Sequence, residues 1–133
     1  MNIERIKDKK KEPSVLLATQ SLAYRNNLAS TLRMQGYKVE LAQGGFHLLY
    51  MLENPQNFDI DLIIIHEDMD DMSAYELVSL IRANKSKTEL PVVFISRHNN
   101  EEIISEMMSV DTNDFIVQSP AFSPVLAAAK KYC

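Results

Sequence analysis

The densest group of reactive side chains is His66-Glu67-Asp68, followed at once by Asp70 and Asp71. An imidazole among carboxylates could hold a metal ion, move a proton or accept a phosphoryl group. Zinc-protease chemistry is not open to it, because a partner histidine would have to stand where Asp70 does. His47 and His98 lie on separate segments without metal-ligand spacing. The only glycines are Gly36, Gly44 and Gly45, so no dinucleotide fingerprint or P-loop follows the first apolar run. A Ser-His-Asp site stays open, although no nucleophile-elbow motif is present. Cys133 is the only cysteine, which rules out an internal disulfide or a cysteine zinc site and fits a reducing compartment.

The element that must position this cluster is the run Leu62-Ile63-Ile64-Ile65 just before it. Two of its residues point to each face of a strand, so both faces must be covered, as in a central parallel strand. Ligands bind at the carboxyl end of such strands, where the polar cluster falls. Ser73-Ala74-Tyr75-Glu76 fits a capping box and predicts a helix from Ser73 to about Ala83.

The rest of the chain repeats the pattern. Val15–Ala18 predicts a buried strand with Thr19-Gln20-Ser21 at its exit. A helix follows to about Gln35, with Leu22, Leu28 and Leu32 as core candidates and Gly36 as its C-cap. Tyr37–Leu41 reads as an edge strand. Gln43-Gly44-Gly45 then turns into a helix carrying Phe46, Leu48, Leu49 and Leu52, which ends before Pro55. Pro91 opens the strand Val92–Ile95, with Ser96-Arg97-His98 at its exit. Asn99 or Asn100 caps a helix to about Ser109, whose acidic first turn suits the helix dipole. Asp114–Val117 is the last strand, and Ser123 caps a final helix with Pro124 in its first turn. Five strands alternating with five helices predict an α/β doubly wound parallel sheet.

At 133 residues this is one domain, able to bury roughly two thirds of its unfolded surface. The expected layout is a charged N-terminal arm over 1–13 and a globular domain over 14–133. The arm is either a basic tether to an acidic partner or a solubilising tail. A net charge of −4 argues against generic nucleic-acid binding. No apolar run approaches the ~18 residues of a membrane span and no signal core is present, so a cytoplasmic location without membrane contact is expected.

The strand exits in this order resemble the response-regulator receiver domain, the phosphoacceptor module of two-component signalling. The resemblance spans about Ser14 to Lys131. DLIIIHEDMDDMSAYEL follows the family's strand, aspartate, methionine-proline loop and glycine-started helix. PVVFIS and DFIVQSP match the fourth and fifth strands and their exits. The resemblance implies the flavodoxin-like, CheY-like sheet order 2-1-3-4-5 in a three-layer α/β/α sandwich.

It also implies a set of departures. The two acids that hold Mg²⁺ in the family fall on Thr19 and Gln20. The phosphoacceptor aspartate falls on His66, the loop proline on Asp70, the helix glycine on Ala74, and the lysine after the fifth strand on Gln118. The proline after that lysine falls on Ser119, with Pro120 one residue later, and only the hydroxyl after the fourth strand remains, as Ser96. Neutral oxygens suit Mg²⁺ poorly, and an acyl phosphate needs a carboxylate nucleophile. The expectation is therefore a degenerate pocket of Thr19, Gln20, His66, Ser96 and Gln118, with no catalytic residue, metal or cofactor and no enzymatic activity. His66 is expected to be a partly buried neutral residue, with pH sensing as a further role. Asp68 should contribute its carbonyl rather than its carboxylate, and Glu67, Asp70 and Asp71 are expected to form a solvated loop.

Function would then lie in a surface. The family presents its fourth helix, fifth strand and fifth helix. The candidates there are Ile103, Ile104, Met107, Met108, Phe115, Val125 and Ala128, facing a protein partner or a second copy. Two other expectations stay open: a phosphoacceptor using His66 or a nearby acid, and a small-ligand binder with a cavity between Thr19, His66 and Ser96.

Overall fold

The computed structural model describes residues 12–133. Apart from Glu12 and Pro13, the expected arm lies outside the described residues. The strands are β1 (Ser14–Ala18), β2 (Lys38–Ala42), β3 (Leu62–His66), β4 (Val92–Ser96) and β5 (Asp114–Val117). The helices are α1 (Leu22–Met34), α2 (Gly45–Leu52), α3 (Ala74–Arg82), α4 (Glu101–Ser109) and α5 (Ser123–Tyr132). All strand pairs are parallel, in the order β2-β1-β3-β4-β5. Both expected polar neighbours of the central runs, His66 and Ser96, are the last residues of their strands.

Alternation along each strand builds two cores. Val15, Leu17, Leu62, Ile64, Val93 and Ile95 face α1 and α5, meeting Leu28, Leu32, Val125 and Ala129. Leu16, Ala18, Ile63, Ile65, Val92 and Phe94 face α2, α3 and α4, meeting Leu48, Leu77, Ile81 and Met107. The fully apolar runs follow from this double coverage. Each fully buried Leu or Ile contributes about 1.5–3 kcal/mol.

The local signals work where they are self-contained. Ser73 accepts the Glu76 N–H, and Asn100 accepts those of Glu102 and Ile103. Gly36 sits at φ +95, past the end of α1, where a left-handed residue lets the last turn close. Two expectations are corrected. Leu22 is 62% exposed, because Tyr24, Leu28, Ala29 and Leu32 set the buried face of α1. α2 carries Phe46 as expected, with that side chain 66% exposed and Leu48 and Met51 setting the buried face. Ser123 does not cap α5. It lies inside the helix, and Phe122 precedes it with φ −93 and ψ 2, too close to helical for a capping side chain.

Candidate functional site

Four strand exits bring the sequence-derived residues together. Thr19 follows β1, His66 ends β3, Ser96 ends β4 and Gln118 follows β5. The exits are tied by backbone bonds: Gln20 N–H to Asp68 O at 2.8 Å, Glu67 N–H to Ile95 O at 3.0 Å, and Gln118 N–H to Ser96 O at 2.6 Å. The Asp68 carbonyl thus faces the pocket while its carboxylate turns to the Arg97 guanidinium at 2.8 Å.

His66 is 1% exposed and bonded at both ring nitrogens. Nε2 meets Gln118 Oε1 at 2.7 Å and Nδ1 meets Thr19 Oγ1 at 2.9 Å. An amide oxygen only accepts, so Nε2 carries the proton and Thr19 donates to Nδ1. Thr19 Oγ1 in turn accepts the Ser21 N–H at 3.1 Å. The Tyr24 ring lies over the imidazole, with centroids 4.3 Å apart and planes within 14°. Phe122 packs edge-on against Tyr24, 5.7 Å between centroids. Burial is the main cause holding the His66 pKa below its ordinary value, aided by the Arg97 charge and opposed by the Gln118 bond and by Asp68 and Glu67. The same burial pushes the Tyr24 hydroxyl up to about 12.

Asp70 and Asp71 are exposed, as expected of a solvated loop, but all three acids also accept hydrogen bonds and Glu67 is half-buried. Glu67 Oε1 accepts the Ser96 hydroxyl at 3.0 Å and the Arg97 backbone N–H. Asp70 accepts the Gln20 side-chain amide at 2.6 Å. Asp71 reaches the start of α2 and accepts the N–H groups of Gly45 at 3.1 Å and Phe46 at 3.0 Å. It caps a helix whose own cap residue, Gly44, has no side chain to offer. Burial raises the Asp71 pKa, but the N–H donors outweigh it and hold the carboxyl below its usual range. A Cβ on Gly44 would stand 2.8 Å from the Asp71 carboxylate, and one on Gly45 2.4 Å from Met72 Cγ. A side chain at either position would therefore require the Asp71 carboxylate or the Met72 side chain to move aside.

The inner part of the pocket is closed, while Gln20 is exposed and Gln118 borders an open depression with Arg97, Ser119 and Pro120. Thr19, His66 and Ser96 are all buried, so they line no open cleft of the kind a small-ligand site needs. Among the described residues no three His, Cys, Asp or Glu side chains are grouped to hold a metal ion. Tyr24 was missed by sequence reasoning, although its spacing to Leu28 and Leu32 puts it on the buried face of α1.

The candidate surface is partly corrected. Met107, Val125 and Ala128 are buried core residues and cannot face a partner. Ile103, Ile104 and Phe115 are half-buried, and Met108 is 43% exposed. Phe46, Tyr50 and Leu80, on α2 and α3, are also exposed. The Phe46–Tyr50 spacing was the available signal for an outward-facing pair.

The parallel sheet of order 2-1-3-4-5 with polar residues gathered at its carboxyl edge defines a CheY-like flavodoxin fold. The family described as response regulator receiver domain matches residues 15–129. The chain belongs to that family. Two-component response regulator ORR3 of Oryza sativa is 26% identical over 107 residues, covering 80% of each chain. The CAI-1 autoinducer sensor kinase/phosphatase CqsS of Vibrio cholerae is 28% identical over 126 residues, 94% of this chain and 18% of that protein. The structure of Vibrio cholerae chemotaxis protein CheY4 superposes with a TM-score of 0.79 at 23% identity, covering 92% of this chain and 99% of that one. A two-component response regulator from Clostridium difficile gives 0.80 at 17% identity, over 91% and 95%. Among the described residues no helix is long and apolar enough to cross a membrane.

Proposed function

We propose that this receiver domain signals without accepting a phosphoryl group, as a non-enzymatic pseudo-receiver that binds a protein partner or a second copy of itself. The observation that carries this is the sealed His66: the imidazole sits at the end of β3 with both nitrogens engaged and the Tyr24 ring across it. A phosphoryl donor would have to displace Tyr24 and strip both hydrogen bonds before a nitrogen could attack.

The donors around it do not fit Mg²⁺ either. Thr19 and Gln20 supply neutral oxygens, Thr19 is committed to His66 and Ser21, and the Asp68 carboxylate is paired with Arg97. An octahedral site of hard, charged oxygens is not available from this set. Gln118 stands where a cation would stabilise transferring negative charge, and the Arg97 guanidinium is already paired with Asp68.

The partner surface in this reading is the side of α4 and β5, where Met108 and Val117 are exposed and Ile103, Ile104 and Phe115 half-exposed. The test is incubation with acetyl phosphate, or beryllofluoride, plus Mg²⁺. Unchanged mass and unchanged amide spectra are expected. A covalent phosphoryl adduct, or a Mg²⁺-dependent shift at Thr19, His66 and Ser96, refutes the proposal.

A further inference from the structure

The donors at the exit of β4 converge on one carboxylate oxygen. The Ser96 hydroxyl, fully buried, has Glu67 Oε1 at 3.0 Å and the His98 carbonyl at 3.1 Å as possible acceptors. The backbone N–H of Arg97 points to the same Glu67 oxygen. The His98 N–H donates to Ser96 Oγ at 3.0 Å, which fixes the hydroxyl between the loop and the carboxylate. One residue on, Asp68 takes the Arg97 guanidinium. The loop after β3 therefore grips the loop after β4 twice, once through its main chain and once through its side chain. Bonds of this kind to an ionised acceptor are roughly twice as strong as neutral ones.

We propose that the chain occupies the donor pair at the exit of β4 with its own Glu67 carboxylate, and that this internal anion holds the β4–α4 loop in a single conformer. A hydroxyl and a main-chain N–H aimed at one negative oxygen form the donor set that any small oxyanion would take. Here the anion is tethered, so it is present at high effective concentration and excludes free ones. Asn100, which caps α4, lies two residues beyond His98, so the start of that helix is held by the same contact. The inference deepens the phosphorylation-independent reading, since it rests on no phosphoryl group competing for these donors.

The test uses Glu67→Ala and Glu67→Gln in the full chain, by amide hydrogen exchange and ¹H–¹⁵N spectra without any phosphoryl donor. Glu67→Ala should speed exchange of the Arg97 amide at least ~tenfold, equivalent to about 1.4 kcal/mol, and shift the amides of His98 and the first turn of α4. Sodium formate, against sodium chloride at equal ionic strength, should restore protection in Glu67→Ala and leave the wild type unchanged. Glu67→Gln keeps an acceptor oxygen but not the charge, and should fall between the two, which decides the matter should Glu67→Ala not fold. Unaltered Arg97 exchange in both variants overturns the proposal, as does a loss of protection in Glu67→Ala that formate leaves unrecovered. The acetyl phosphate experiment reports separately on the pseudo-receiver reading, so either can fail alone.

Discussion

Acidification should cost this domain stability through His66, and the size of the cost is bounded by linkage. The imidazole is neutral in the fold, with a pKa held below its ordinary 6.5 mainly by burial. In the unfolded chain it returns to about 6.5. A depressed histidine pKa means that the unfolded state binds the proton first, so stability is fully present above about pH 6.5. It declines as the pH falls from there toward the folded pKa, by at most about 1.4 kcal/mol for each pH unit, and levels off below it. Structure explains why protonation is resisted: Thr19 can turn its hydroxyl, but no carboxylate touches the ring, and Tyr24 shuts out water. The assay is urea unfolding of the wild type and of His66→Gln at a series of pH values from 7.5 to about 5. Every other titrating group is common to both proteins, so the difference between the two curves isolates His66. The wild type should lose the larger share of its stability. Parallel curves, or an NMR titration placing the folded His66 at or above 6.5, would refute the reasoning.

Two further outcomes follow from bonds that span distant segments. Asp71→Ala should cost about 1–2 kcal/mol in urea unfolding and raise amide exchange at Gly45 and Phe46, because α2 loses the carboxylate that caps it. The same carboxyl has a lowered folded pKa, so its contribution is present above pH ~4 and disappears below it. Arg82→Met should cost about 1.5–3 kcal/mol or more, since its guanidinium donates to the carbonyls of Lys85, Ser86, Leu90 and Asp111 and to the Asn113 side chain. Arg82→Lys should recover little of that in the same denaturation assay, because an ammonium cannot span five acceptors in a plane.

Much of the fold could be read from short stretches, and the reasons are local. Val15–Ala18, Leu62–Ile65 and Val92–Ile95 are apolar on both faces, and only a covered parallel strand accommodates that. Ser73 and Asn100 cap through bonds to residues two or three along, well within reach of pattern reasoning. Helix phase was harder. Leu22 and Phe46 are apolar but lie outside the buried stripe, which the combined spacing of Tyr24, Leu28 and Leu32, or of Leu48 and Met51, decides. The meeting of Thr19, His66, Ser96 and Gln118 was legible only through the resemblance, because it is a property of sheet order. The roles of Tyr24, Glu67 and Asp71 were not, since each depends on a partner more than twenty residues away that no spacing rule connects.

The ring of Tyr24 has a consequence for anyone hoping to install chemistry here. Writing an aspartate at position 66 would set a new carboxylate beneath an aromatic plate, beside a threonine hydroxyl and an amide, shielded from water and with the Arg97 guanidinium already paired to Asp68. Such a group would take up a proton sooner than act as a nucleophile. On the pseudo-receiver reading proposed above, an ionised acceptor at position 66 therefore requires changes at Tyr24 and Thr19 as well. A one-step trajectory ends in a neutral acid, and the pocket is in that sense a ratchet.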